Sequence, residues 1–247
     1  MSSLAPTRLF ALPALARLSA TLAGALLLAT SASAGTLTMN GWLFGAGHAV
    51  NVTSPNYSGQ AGGFRGTLSG MTDARFNLDA VEMYCVDLGQ TININAGTAY
   101  TVKLDGEVGN TTFTIKPVAE VFGAARADRL SRLVSYAESA DALVNSSQRS
   151  TAMQLAIWNV VYDTDATLNA ATGALFSDTT ANRTYANDLL AAASSFGIDR
   201  QLYVMTSSTR QDQLFWLDAQ QVPEPASLAL AAMALGAAGL ARRRARG

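Results

Sequence analysis

Two residues could do chemistry together: Cys85, the only cysteine of the chain, and Gln154, a glutamine inside a strongly apolar stretch. A cysteine thiolate that attacks a side-chain amide carbon expels ammonia and leaves an internal thioester, which hides the thiol and activates the acyl group. The reaction requires a deprotonated sulfur held in line with the amide carbon, and water must be excluded from the product. The neighbouring aromatic residues Tyr84 and Trp158 would supply an apolar cover for such a pocket.

Both residues are predicted to be buried. Cys85 lies in a strand-like segment that is apolar on both faces. Gln154 projects away from Asn159 and Asp163 if the segment is a helix turning about 100° per residue. Burying an amide without partners costs about 1 to 3 kcal/mol, so Gln154 either forms hydrogen bonds or reacts. The simpler alternatives are an inert buried thiol and a glutamine that bonds the backbone of a neighbouring strand.

The segments that position this pair are predicted from two sequence periodicities, that of β-strands and that of α-helices. Short β-branched and aromatic segments, broken by Gly, Asn and Ser, predict strands before and after a helical block. Asp105-Gly106 has the composition of a hairpin turn. The predicted strands are Thr36 to Phe44, Ala49 to Thr53, Phe76 to Leu88, Thr91 to Asn95, Tyr100 to Leu104, Thr112 to Ile115, Gln201 to Ser207 and Gln211 to Leu217.

The helical block is predicted from apolar residues that recur with helical spacing. Leu130, Leu133, Val134 and Ala137 follow the i, i+3, i+4, i+7 pattern of an amphipathic helix. Two further helices are predicted over Ser147 to Tyr162 and Arg183 to Phe196. We therefore expect an α+β fold: a β-rich sandwich or barrel body over residues 35–221, with an inserted helical block and its last strands closing on the first sheet.

The segments around the two residues resemble a known family. Tyr84-Cys85-Val86-Asp87, followed by Gln154-Leu155-Ala156-Ile157-Trp158, is similar to the paired motifs of thioester domains in Gram-positive surface adhesins. The resemblance implies a β-rich body with a helical part. It also implies that Cys85 donates the sulfur, that Gln154 donates the acyl group, and that a nucleophile on a target then attacks. Such an acylation happens once per molecule, so we do not expect an enzyme.

The first 34 residues have the pattern of an export signal. Arg8 and Arg17 precede an apolar run from Leu18 to Thr30, and Ala32-Ser33-Ala34 offers an A-x-A site for signal peptidase. A transmembrane anchor is the alternative, but the run is short for a bilayer and no stop-transfer charges follow it.

Residues 222–247 form a three-part tail. Pro223-Glu224-Pro225 precedes an apolar run over 226–241, and Arg242, Arg243 and Arg244 follow it. The arginines would hold the end of an inner-membrane span in the cytoplasm. The tail resembles the PEP-CTERM sorting signal, which implies recognition by an exosortase and delivery to the envelope or extracellular matrix of an exopolysaccharide-producing Gram-negative bacterium. A permanent single-span anchor is the alternative.

Charge and composition exclude several classes. Six of the 17 Lys and Arg residues lie in the terminal segments, so the middle is acidic and has no basic stripe for nucleic acid. One His and one Cys exclude zinc fingers, His-rich metal sites and a disulfide framework, and we expect neither metal nor cofactor. Asp163-Thr164-Asp165 begins like a calcium loop, but Leu168 takes the place of its glycine.

Two other functions compete with the thioester. A cysteine hydrolase would need a base beside Cys85, and the only imidazole is His48. The stronger rival is a non-covalent structural or polysaccharide-associated matrix module with a buried free cysteine. For the thioester function the target would be a surface or matrix nucleophile, either exopolysaccharide or protein.

Overall fold

The computed structural model describes residues 34–53, 55–139, 143–163 and 180–218. Within them, seven strands form a closed barrel in the order β1-β4-β5-β9-β8-β7-β6, and two further strands form a separate β2-β3 hairpin. The strands are β1 Gly35–Trp42, β2 His48–Thr53, β3 Asn56–Ala61, β4 Phe64–Ser69, β5 Leu78–Cys85, β6 Ala99–Leu104, β7 Phe113–Pro117, β8 Arg200–Thr206 and β9 Gln213–Asp218.

The barrel confirms the predicted α+β body, with the helices inserted between β7 and β8. All neighbouring barrel strands are antiparallel except β6 and β7, which run parallel. Closure gives each barrel strand a partner on both sides, although β5 and β9 pair over only two residue pairs, Tyr84 with Leu214 and Cys85 with Gln213. The last strand, β9, pairs with β5, and this contact brings the end of the folded body beside Cys85.

Among the described residues the helical block comprises four helices, α1 Val118–Phe122, α2 Ala124–Glu138, α3 Ser147–Tyr162 and α4 Thr180–Ala193. Helix α3 has the predicted bounds. The hydroxyl of Ser146 caps its first turn by accepting the Arg149 N–H. Residues 150–161 of α3 are all buried, because the helix is enclosed by α4, α2, the hairpin and β5. Its polar side chains Ser150, Thr151, Gln154 and Asn159 are therefore taken into the interior with it.

Parts of the local strand prediction are wrong. Strands β3 and β4 were not predicted. Residues 91–95 form a loop in which the Tyr100 hydroxyl bonds the N–H and C=O of Asn93, so these backbone groups need no strand partner. Asp105-Gly106 does form a turn, but it joins the parallel strands β6 and β7 and is not a hairpin.

Several predictions lie outside the described residues. The export signal falls there except for Ala34, as do the sorting tail with its span at 226–241 and the calcium-loop residues after Asp163. Within the described part of the chain, no helix combines the length and the apolar character needed to cross a bilayer.

Candidate functional site

Cys85 is the last residue of β5, and Gln154 holds its main chain. The Cys85 N–H donates to Gln154 Oε1 at 2.9 Å, and Gln154 Nε2 donates to the Cys85 C=O at 2.7 Å. Strand β4 begins at Phe64, which pairs with Met83, so it does not reach Cys85. The carboxamide of Gln154 therefore replaces the missing strand and satisfies both backbone groups.

The sulfur of Cys85 faces two other glutamines. Its thiol donates to Gln211 Oε1 at 2.8 Å. It also lies 3.6 Å from Gln213 Nε2 and 3.8 Å from Gln213 Oε1. Both polar atoms of the Gln213 amide therefore lie beside the sulfur, so the whole amide group is next to it rather than only one end.

The strand pairing explains why this contact is so close. Cys85 lies directly opposite Gln213 in the antiparallel β5-β9 pair. Because Gln154 takes both backbone groups of Cys85, Cys85 and Gln213 form a non-hydrogen-bonded pair. In such pairs the Cα atoms are about 4.5 Å apart and the side chains point to the same face, so they are forced together.

The two acceptor glutamines are themselves fixed. Gln213 Nε2 donates to the Gln211 C=O at 2.9 Å, and Gln211 Nε2 donates to the Asp87 C=O at 2.7 Å. The backbone N–H of Gln211 donates to Thr91 C=O at 3.2 Å. These bonds tie the chain before β9 to the chain after β5. The side chains around the sulfur are therefore held in place before any reaction occurs.

Burial dominates the electrostatics of the pocket. Cys85 is 4% exposed and Gln213 is fully buried. Burial raises the pKa of the Cys85 thiol to about 12, the Asp87 carboxylate adds to the rise, and the hydrogen bond from Gln213 opposes it. At neutral pH the sulfur is thus a protonated thiol. Its reaction requires that the proton leave as the carbon–sulfur bond forms.

The predicted pocket residues Tyr84 and Trp158 lie near the site in different positions. Tyr84 precedes Cys85 on β5, so its side chain points to the opposite face of the strand. Its hydroxyl lies 3.3 Å from Ser150 Oγ, and its ring stacks on Trp216. Trp158 is buried one turn after Gln154, and its ring meets Tyr57 edge to face with centroids 5.3 Å apart.

Sequence reasoning missed Gln211 and Gln213. The signal was present, because two glutamines at i and i+2 enter a strand in which Leu214 and Phe215 follow, and such alternation places both on one face. What the chain did not reveal was the partner strand. Tyr162 was also missed; its hydroxyl accepts the Leu88 N–H at 2.9 Å and orders the chain that leaves β5.

The residues of the other candidate chemistries do not assemble around the sulfur. His48 Nε2 lies 3.0 Å from Ser147 Oγ on α3, and the hydrogen-bond partners of the Cys85 side chain in the described residues are glutamines. In the part of the chain that the structure describes, no three His, Cys, Asp or Glu side chains gather as metal ligands.

Comparison with known proteins gives two kinds of similarity. Residues 221–245 match the family model of the PEP-CTERM protein-sorting motif, which confirms the sorting motif predicted in the tail. The motif implies export, processing by an exosortase and localisation to the envelope or cell surface. No protein of curated function matches the chain.

Two solved structures are similar in fold. One is a cysteine-to-alanine mutant of the N-terminal thioester domain of a surface protein from Clostridium perfringens, with 13% identity, a TM-score of 0.37, and coverage of 64% of this chain and 99% of that chain. The other is the N-terminal domain of the Streptococcus pyogenes pilus tip adhesin Cpa, with 13% identity, a TM-score of 0.38, and coverage of 69% and 93%.

Proposed function

We propose that this exported protein forms an internal thioester between Cys85 and Gln213, and that it uses the bond to attach itself covalently to a nucleophile at the cell surface or in the matrix. The observation that carries the proposal is the position of the Cys85 sulfur, 3.6 and 3.8 Å from the two polar atoms of the Gln213 amide inside a buried pocket.

The thioester forms by a balanced exchange. The sulfur bonds to the Gln213 amide carbon, the carbon–nitrogen bond breaks, and the thiol proton leaves with the nitrogen as ammonia. In the structure the thiol donates to Gln211 Oε1 and Gln213 Nε2 donates toward the sulfur, so the thiol proton must shift from this hydrogen bond to the leaving nitrogen as the carbon–nitrogen bond breaks. Exclusion of bulk water from the pocket protects the product from hydrolysis.

The geometry favours Gln213 over the other two glutamines. Both polar atoms of Gln154 are bound to the Cys85 backbone, where the amide completes the edge of β5. Gln211 offers the thiol its oxygen, which makes it a hydrogen-bond acceptor that orients the sulfur. Gln154 is thus assigned a positioning role, and the Cys85–Gln154 thioester inferred from the sequence stays the competing prediction.

The second step transfers the acyl group. An amine or hydroxyl of a protein or exopolysaccharide attacks the Gln213 carbonyl carbon, the carbon–sulfur bond breaks, and the Cys85 thiol is regenerated with the nucleophile's proton. The product is an amide or ester to the target. Each molecule acts once, so the protein is a covalent attachment module and not an enzyme.

Sorting delivers the module to its place of action. In this proposal signal peptidase removes residues 1–34, and the span at 226–241 holds the chain in the inner membrane while Arg242, Arg243 and Arg244 stay in the cytoplasm. An exosortase then acts near Pro223-Glu224-Pro225 and releases the body to the surface.

Peptide mapping after methylamine treatment tests the proposal. Methylamine should convert one glutamine to its N-methyl amide and free the Cys85 thiol, and tandem mass spectrometry should place the modification on Gln213. Modification of Gln154 instead would support the competing pair. Absence of any modified glutamine would remove the thioester from the account.

One observation favours the non-covalent rival. The thiol of Cys85 is protonated, buried and already bonded to Gln211, which is also the environment of an inert structural cysteine. In that case the protein is a matrix module that binds without a covalent bond. The same treated sample then contains an unmodified chain with a free thiol.

A further inference from the structure

The reactive pocket is closed, so a target must have a route into it. Cys85 and Gln213 are 4% and 0% exposed, and no target side chain reaches the acyl carbon without local opening. This inference rests on the proposed function and concerns the structural element that opens the pocket. The β2-β3 hairpin is the element to consider, because in the described structure it forms a sheet of its own and packs on α3.

Two side chains of α3, Thr151 and Ser147, hold the base of the hairpin. His48 and Ala61 pair where the two strands begin and end. The Thr151 hydroxyl accepts the His48 N–H at 3.3 Å and lies 2.7 Å from the Ala61 C=O, to which it donates. Ser147 adds one more tie through His48 Nε2. The hairpin is thus held on the body by these polar bonds and by its buried side chains Val50 and Val52, each 1% exposed, rather than by a strand ladder.

Tyr57 on β3 connects the hairpin to the pocket. Its ring contacts Trp158, and its hydroxyl donates to the Gln60 C=O within the hairpin. Burial, and then the nearby Cys85 thiolate, raises the pKa of Tyr57 above its ordinary value. The Tyr57 ring therefore packs on the residue one helical turn after Gln154, and it remains partly exposed to solvent.

Glycines stand at both ends of the hairpin. Gly45 precedes β2 with φ of 81°, and Gly62 follows β3 with φ of 152°. Both values favour glycine, whose backbone adopts them without steric strain. Positions of this kind at the two feet of a β-hairpin can absorb the dihedral changes of a hinge.

We propose that the β2-β3 hairpin is the gate through which the target nucleophile enters, and that Tyr57 determines the size of nucleophile that passes. Opening breaks the Thr151 bonds and separates Tyr57 from Trp158, while the barrel and the Cys85–Gln213 pair stay intact. A small amine needs only a partial opening, whereas a lysine side chain on a folded protein requires Tyr57 to move away.

Two variants and a matched control test the gate. Thr151→Val keeps the side-chain shape and removes the hydroxyl that holds the hairpin. Tyr57→Ala removes the ring, and Ser58→Ala on the outer face of β3 serves as the control. The rate of thioester consumption is measured with methylamine and with a lysine-containing peptide. Alkylation of the Cys85 thiol is measured separately in a Gln213→Ala background, where the Cys85–Gln213 thioester cannot form.

Thr151→Val should accelerate thioester consumption by methylamine and by the peptide about threefold to tenfold. This is the increase in the population of the open state expected from the loss of a hydrogen bond. Tyr57→Ala should accelerate the peptide more than methylamine. Rates in both variants equal to those of Ser58→Ala, with folding verified by thermal unfolding, would overturn the gate. If the wild-type protein contains no thioester but alkylation still accelerates, the proposed function fails and the gate stands.

Discussion

Cys85 and Gln213 lie directly opposite each other on β5 and β9, with the sulfur 3.6 Å from Nε2 and 3.8 Å from Oε1 of the amide. Gln154 forms hydrogen bonds with the N–H and C=O of Cys85 and none with its sulfur. It therefore positions Cys85 through the main chain. One glutamine therefore holds the strand, and another places its amide group beside the sulfur.

The positioning role of Gln154 predicts a large loss of stability on truncation. Gln154→Ala should lower the free energy of unfolding by about 2 to 4 kcal/mol, because it leaves the N–H and C=O of Cys85 buried without partners and creates a cavity. Urea denaturation measures the change. Gln60→Ala, on the exposed face of β3, should change stability by less than about 0.5 kcal/mol. Similar small effects for both substitutions would contradict the role.

The buried thiol predicts a stability loss at high pH. Burial raises the pKa of the free Cys85 thiol to about 12 in the folded chain, against about 8.5 when unfolded. Gln213→Ala keeps the thiol free and removes the hydrogen bond that lowers this pKa, so the rise persists in the variant. Above the lower value the unfolded chain gives up its proton while the folded chain retains it, so stability falls as pH rises between the two. A Cys85→Ala, Gln213→Ala double variant should lack this slope in unfolding experiments. If the free energy of unfolding depends on pH in the same way in both proteins, the slope does not come from the buried thiol.

Glu138, at the end of α2, predicts a second pH effect. Burial raises the pKa of its carboxyl to about 7, and the nearby Glu82 adds to the rise while Arg200 opposes it. The folded state thus favours the protonated carboxyl. The stabilisation of the folded state by the protonated Glu138 carboxyl is complete below about pH 4.3 and is lost as pH rises through about 7. Glu138→Gln should therefore be more stable than the wild type at pH 8 and similar to it at pH 4; equal stability at both pH values would argue against it.

The sorting motif predicts where the protein accumulates. Glu224→Ala changes the central residue of Pro223-Glu224-Pro225 and should leave the chain unprocessed in the inner membrane, whereas the wild type reaches the envelope or the medium. Cell fractionation with immunoblotting distinguishes the two. Gln220→Ala, just before the matched segment, is the control. Normal processing of Glu224→Ala would show that this residue is not needed for recognition.

The sequence allowed prediction of features that depend on local patterns. The bounds of α3 followed from apolar periodicity, and the burial of Gln154 followed from its position on that helix. The sorting tail was recognisable because its three parts are contiguous. The arrangement of the sulfur was not predictable in the same way. Gln213 is 128 residues from Cys85, and only closure of the barrel brings β9 beside β5.

The strand register is also what separates the competing glutamines. A shift of one residue in the β5-β9 pairing would turn Gln213 to the other face of the sheet and leave no amide carbon beside the sulfur. The pairing depends on contacts across the whole barrel and on Gln154 at its edge, and neither can be read from the two motifs alone.

The mass of the intact purified protein tests the central claim most directly. The account predicts that the wild type is lighter by one ammonia than the same polypeptide with all its amides, that Cys85→Ala and Gln213→Ala have their full masses, and that Gln211→Ala still shows the loss. A wild type of full mass, or an ammonia loss that persists in Gln213→Ala, would contradict the Cys85–Gln213 thioester.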